Sequence, residues 1–125
     1  MYAEIFDGLR AYYAGFPSRR ATAGFNAAAT LSFVFGANAA SLLTVGDYLL
    51  NGNQKWSMHL FEYKSLFLLF GGVVACAHVL FGKHTGRYNS VEPARSSRWK
   101  RYLAIYVCCS VALTIGTIIL TVLTR

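Results

Sequence analysis

Apolar side chains in this chain gather in blocks rather than in stripes. Residues 27–50, 66–82 and 103–124 carry a single formal charge between them, Asp47. At ~1.5 Å of rise per helical residue, each block is about long enough to cross the ~30 Å hydrocarbon core of a bilayer. A helix that is apolar on every side needs lipid or a large protein around it. A chain of 125 residues does not supply the second. The pattern therefore predicts an all-α, transmembrane helical protein, a single membrane domain with spans at 22–50, 60–82 and 102–124. In the third span β-branched residues abound, yet lipid requires every backbone group to be paired within its own segment, so helix is still expected.

The segment 2–16 follows another pattern. Ile5, Phe6, Leu9, Tyr12, Tyr13 and Phe16 recur near helical spacing, with Glu4, Asp7 and Arg10 off that stripe. It is too short and too polar to span. An amphipathic helix is expected, lying in the headgroup layer or packed on the protein's own spans. Pro17 stops it, and Ser18, Arg19 and Arg20 form a basic hinge. No cleavable secretory signal is visible, so the first span is expected to act as an uncleaved anchor.

Charge adds an orientation. The net charge is +7 and hydrophobic residues make up 55% of the chain. Nucleic-acid binding is not indicated, because the cations flank apolar spans and nothing resembles a base-reading module. Arg10, Arg19, Arg20 and the loop cations Lys83, Arg87, Arg95, Arg98, Lys100 and Arg101 fall on one side of the membrane. Lys55, Lys64 and Arg125 fall on the other. Positive residues favour the cytoplasmic side, so a cytoplasmic N-terminus and a periplasmic C-terminus are expected. The basic loop 83–101 is expected to meet anionic headgroups or an acidic partner, at ~1 kcal/mol per cation near the surface.

The first span carries a packing signal. Ala28, Ser32, Gly36, Ala40 and Thr44 repeat every fourth residue and form a row of small side chains. Such a row lets a second helix approach closely, from within the protein or from a partner. Asn38 is expected to bond a neighbouring helix, since a buried amide needs a partner. Asp47, near the end of the span, is expected to reach interfacial water, Lys55 or Lys64. Gly71 and Gly72 are further places for close backbone approach.

Candidate chemistry is sparse. Cys76, Cys108 and Cys109 have neither zinc nor redox spacing and read as packing residues. No nucleophile–base spacing, metal cluster or phosphate loop stands out, so no catalytic residue is assigned. Asn38, Asp47 and His78 do not form one line, and an oligomeric transporter or pore is an alternative. His78 and His84 bracket Gly82 at the end of the second span. That His–Gly–His order, in a three-span chain, resembles the cytochrome-b-type anchor subunits of succinate dehydrogenases. The resemblance implies haem or quinone binding at His78 and His84. The chain departs from that family in having one residue fewer before its second histidine. It also lacks a basic residue in 27–33 and an acidic residue soon after His84.

A broader likeness spans most of the chain. Its marks are Phe25 and Asn26 opening the first span, Asn38 and Ser41 within it, and Lys83, Gly86, Arg87 and Tyr88 after the second. Trp99, Lys100, Arg101 and Tyr102 then lead to Tyr106 and Ser110. In this the chain resembles a group of small, uncharacterised bacterial three-span inner-membrane proteins. The resemblance implies a bacterial inner-membrane location and carries no activity. The expected role is a non-catalytic accessory or assembly subunit, without a cofactor, docked on a larger membrane protein or on its own copies.

Overall fold

A computed structural model describes residues 1–124, except for the side chains of Phe61 and Phe67. Arg125, counted above toward the outer face, lies outside the described residues. The protein is all-α. Helix α1 covers Tyr2–Ala14, a 3₁₀ turn covers Pro17–Thr22, and α2 covers Ala23–Asn51. Then come α3 at Lys55–Glu62, α4 at Lys64–His84 and α5 at Trp99–Leu123. The helices α2, α4 and α5 are long and apolar enough to cross a membrane, which makes this a multi-pass membrane protein.

Helix α2 is the spine. Its Ser32 meets His78 of α4, and its Ser41 meets Thr114 of α5. Nine residues at ~100° each make about two and a half turns, so those contacts lie on opposite sides of α2. Helices α4 and α5 thus flank α2 and pack mainly on it rather than on each other. Little of the spans is covered in this way. Only 22%, 12% and 11% of the most apolar windows of the three spans are buried within the protein.

The hydroxyl-rich third span commits its hydroxyl protons to its own backbone. Ser110, Thr114, Thr117 and Thr121 each donate to the carbonyl four residues back, at 2.7–2.9 Å. A hydroxyl satisfied on its own helix leaves that helix apolar to its surroundings.

The ends of α2 are built locally. Gly52 ends it at φ 64, donating to Tyr48 O at 2.9 Å. Only glycine adopts that left-handed cap without a Cβ penalty. Asp47 then caps the next helix. Its Oδ2 accepts from Ser57 N at 2.8 Å, and its Oδ1 accepts from Asn51 Nδ2 at 2.7 Å. The expected pairing of Asp47 with Lys55 or Lys64 is replaced by these bonds, because the free amides at the start of α3 lie closer. The second span also begins later than expected. Residues 60–62 belong to α3, whose Lys55, His59 and Glu62 favour water, and the chain turns at Tyr63 before α4.

Helix α1 packs across one end of the bundle instead of lying apart from it. Its Ile5, Phe6 and Leu9 form a core with Ala27, Ala28 and Leu31 of α2. Two glycines allow this, Gly8 and Gly82, and a third, Gly24, admits the loop beside α2. A β-carbon on Gly8 would overlap the Trp99 indole, one on Gly82 would overlap the Phe6 ring, and one on Gly24 would overlap the Tyr88 backbone carbonyl.

Candidate functional site

The most heavily constrained part of the molecule is where α1 meets the loop between α4 and α5. Asp7 and Arg10, expected off the buried stripe, are both buried, Arg10 completely. Helix α1 therefore buries almost its whole circumference between Ile5 and Arg10. Its two charges survive there because they are paired. Asp7 Oδ1 accepts from Arg10 Nη2 at 3.0 Å and from Arg87 Nε at 2.7 Å. Its Oδ2 accepts from the Arg95 backbone amide at 2.8 Å.

The two guanidiniums then serve the loop, which has no regular structure to pair its carbonyls. Arg10 donates to Ser90 O and to Glu92 O, the second at 2.7 Å. Arg87 donates to Pro93 O at 2.9 Å and to the Glu92 carboxylate. Burial works to raise the Asp7 pKa, but the bonds from Arg87, the Arg95 amide and Arg10 outweigh it and hold the carboxyl below its usual 3.8. Arg87 is shifted upward, chiefly by its bond to Asp7, and stays charged.

This corrects the expected role of Arg87. Its side chain is 6% exposed and tied to Asp7, Glu92 and Pro93 O, so it does not reach headgroups or a partner. The other loop cations do face outward. Lys83, Arg95, Arg98, Lys100 and Arg101 are exposed. Two of them lie against rings that are themselves half-buried: Lys83 Nζ is 5.6 Å from the Tyr88 ring centre, and Lys100 Nζ is 5.9 Å from that of Trp99. Arg19 adds to the belt, 6.0 and 5.8 Å from the Tyr13 and Phe16 rings. The buried network thus holds a loop whose remaining cations point away from the protein.

The small-residue row divides along its length. Ala28 is buried under α1. The Ser32 hydroxyl donates to Ala28 O at 2.7 Å, and its oxygen lies 3.1 Å from His78 Nδ1. Beyond that the row opens: a β-carbon on Gly36 would meet nothing within 4 Å. Ala40 is partly exposed, and Thr44 is buried with its hydroxyl on Ala40 O at 3.0 Å. Among the described residues Asn38 bonds no neighbouring helix. Its Oδ1 is buried without a partner among the described residues. The Ser110 and Thr114 hydroxyls of α5 are already donating to their own helix. Gly71 and Gly72 likewise face open space.

The two histidines separate. His78 is buried and His84 exposed, six residues apart and so on different faces of α4. The space beside Gly82, which the two histidines bracket in sequence, is filled by the Phe6 ring. Sequence reasoning missed Asp7, Arg10 and Glu92 as a unit. The available signal was an acid and a base one turn apart amid bulky apolar residues, with Gly8 between them. No protein-family model, curated protein or solved structure matches the chain.

Proposed function

We propose that this chain is a non-catalytic accessory or assembly subunit of a larger complex in the bacterial cytoplasmic membrane, with α1 and the basic loop on the cytoplasmic side. The observation that carries this reading is the poor coverage of the spans by one another, with the α2 row open at Gly36. A spine helix with small side chains and free space beside it accepts another helix at close range. The charge bias supports the orientation. Gly36→Leu is expected to abolish co-purification with a larger membrane protein, or crosslinking between copies, while leaving the fold intact. Unchanged pull-down and crosslinking patterns would rule the docking face out.

The outward cations are the second contact surface of this reading. Arg95, Arg98, Lys100 and Arg101 flank the start of α5, where an anionic headgroup layer would lie. Replacing all of them by Gln is expected to weaken association with anionic lipid by about 1 kcal/mol per residue at low salt, and less at high salt. Lipid partitioning in nanodiscs of mixed phosphatidylglycerol and phosphatidylcholine measures it. Equal enrichment of the anionic lipid around both proteins removes the headgroup role.

A further inference from the structure

Helix α2 has a second open face besides the one at Gly36. Leu31, Phe35, Asn38, Leu42, Val45 and Leu49 follow one another in steps of four and three. That 3.5-residue repeat aligns side chains along one seam of a helix. The first step of the seam is already covered. Leu31 is 1% exposed, in the core that α1 forms with Ile5, Phe6 and Leu9. Farther along α2 the cover ends. Phe35, Leu42 and Leu49 are 44%, 60% and 74% exposed, and Asn38 and Val45 are half-buried. Helices α4 and α5 flank the seam without closing over it. The Phe35 ring centre is 5.9 Å from that of His78 on α4, and Ser41 meets Thr114 of α5.

One residue of the seam is polar. Asn38 lies near the middle of α2, and nothing among the described residues donates to its buried Oδ1. An unpaired amide in hydrocarbon is costly. Lipid chains would cover Phe35, Leu42 and Leu49 but would leave that amide as it is. A carboxamide is its own complement, since it carries both an N–H donor and a carbonyl acceptor. Its terminal torsion is soft, so it can turn either group toward the open side of the seam.

These features select a second copy of the chain as the occupant. Copies that cross the membrane in the same sense carry Asn38 at the same depth. A twofold axis along the membrane normal therefore brings one Asn38 to the other. A single amide in an apolar 3.5-residue seam is also the device that fixes register and strand number in parallel coiled coils, and paired membrane helices commonly cross with that same geometry. We propose that two copies of this chain pair in parallel along the α2 seam, their Asn38 carboxamides exchanging hydrogen bonds across the twofold axis. Asn38 is two residues from Gly36, ~200° around the helix, so this face is not the Gly36 row. The pairing stands whether or not that row docks another protein.

The test uses the full chain, with Cys76, Cys108 and Cys109 replaced by Ala, in phosphatidylcholine vesicles over a series of protein-to-lipid ratios. One cysteine is introduced at a time, and mild oxidation traps copies in contact. Leu42→Cys and Leu49→Cys are expected to give disulfide-linked dimers at ratios where Phe33→Cys gives none. Phe33 is 80% exposed but lies nine residues from Leu42, on the opposite side of α2 and nearer the Gly36 row. In the Leu42→Cys chain, Asn38→Leu keeps the volume and removes the amide. It is expected to weaken dimerisation roughly 3- to 30-fold, whereas Asn38→Gln retains most of it. Dimers trapped through Phe33→Cys alone would place the contact on the Gly36 row and overturn the seam. Equal trapping at all three sites, trapping at none, or dimerisation unchanged by Asn38→Leu overturns it as well. If Asn38→Leu fails to insert, the comparison of the three cysteine sites on the Asn38-bearing chain still decides.

Discussion

Asp7→Ala is expected to destabilise the protein by about 3–5 kcal/mol, the usual cost of removing one partner from a buried ion pair. The loss is large because of what remains. Arg10 is fully buried and would be left with loop carbonyls that cannot neutralise it, while Arg87 would keep only the exposed Glu92 carboxylate. The converse experiment separates pairing from packing. Replacing Asp7, Arg10 and Arg87 together by Leu, Met and Met should cost far less than the single change, since an apolar set leaves no orphaned charge. Thermal unfolding in mild detergent, followed by circular dichroism, measures both. A triple variant no more stable than Asp7→Ala would show that the network acts through its bonds to the loop backbone and not through charge pairing. Acid gives an independent readout. The Asp7 carboxyl is held below 3.8 in the folded state, so its contribution is complete above 3.8 and is lost as pH falls through the lower folded value. The unaltered protein should lose stability in that acid range more steeply than the Asp7→Ala variant does.

Gly24→Val should be the most damaging single change in the spans, costing about 1–3 kcal/mol or more through overpacking. The neighbour it would strike is the carbonyl oxygen of Tyr88, part of the backbone. A side chain could swing aside. This backbone cannot do so cheaply, because Arg87 next to it is tied to Asp7 and Pro93 O. Gly36→Ala and Gly46→Ala supply the comparison, since a β-carbon at either site meets nothing within 4 Å. Both should be neutral, or stabilising by up to ~1 kcal/mol from helix propensity. Melting temperatures of the three variants in one detergent test the ordering, and equal losses at Gly24 and Gly36 would contradict it.

Much of the architecture was legible in the pattern of apolar blocks. Spans of about 20 uncharged residues have one solution in lipid, because their backbone groups find no other partners there. The helix over 2–16 was equally legible, but its placement was not. Periodicity put Asp7 and Arg10 on a solvent face, since a stripe rule assigns charges outward. Whether a charge can be buried depends on a partner, and the partner here is Arg87, 80 residues along the chain from Asp7. The same limit hid the filling of Gly82 by Phe6. A glycine's spacing reveals room for a neighbour but not which neighbour takes it.

By itself, then, the order of residues determined that three helices are suited to cross a membrane, that a short aromatic helix precedes them, and where the cations gather. Those properties follow from composition over short windows, where lipid and water impose local rules. Only the tertiary structure decided that α2 stands between the other spans, that Asp7 joins α1 to the loop, and that His78 of α4 meets Ser32 of α2. Each of these is a meeting of residues far apart in the chain, and the energy that selects it exists only when both sides are in place.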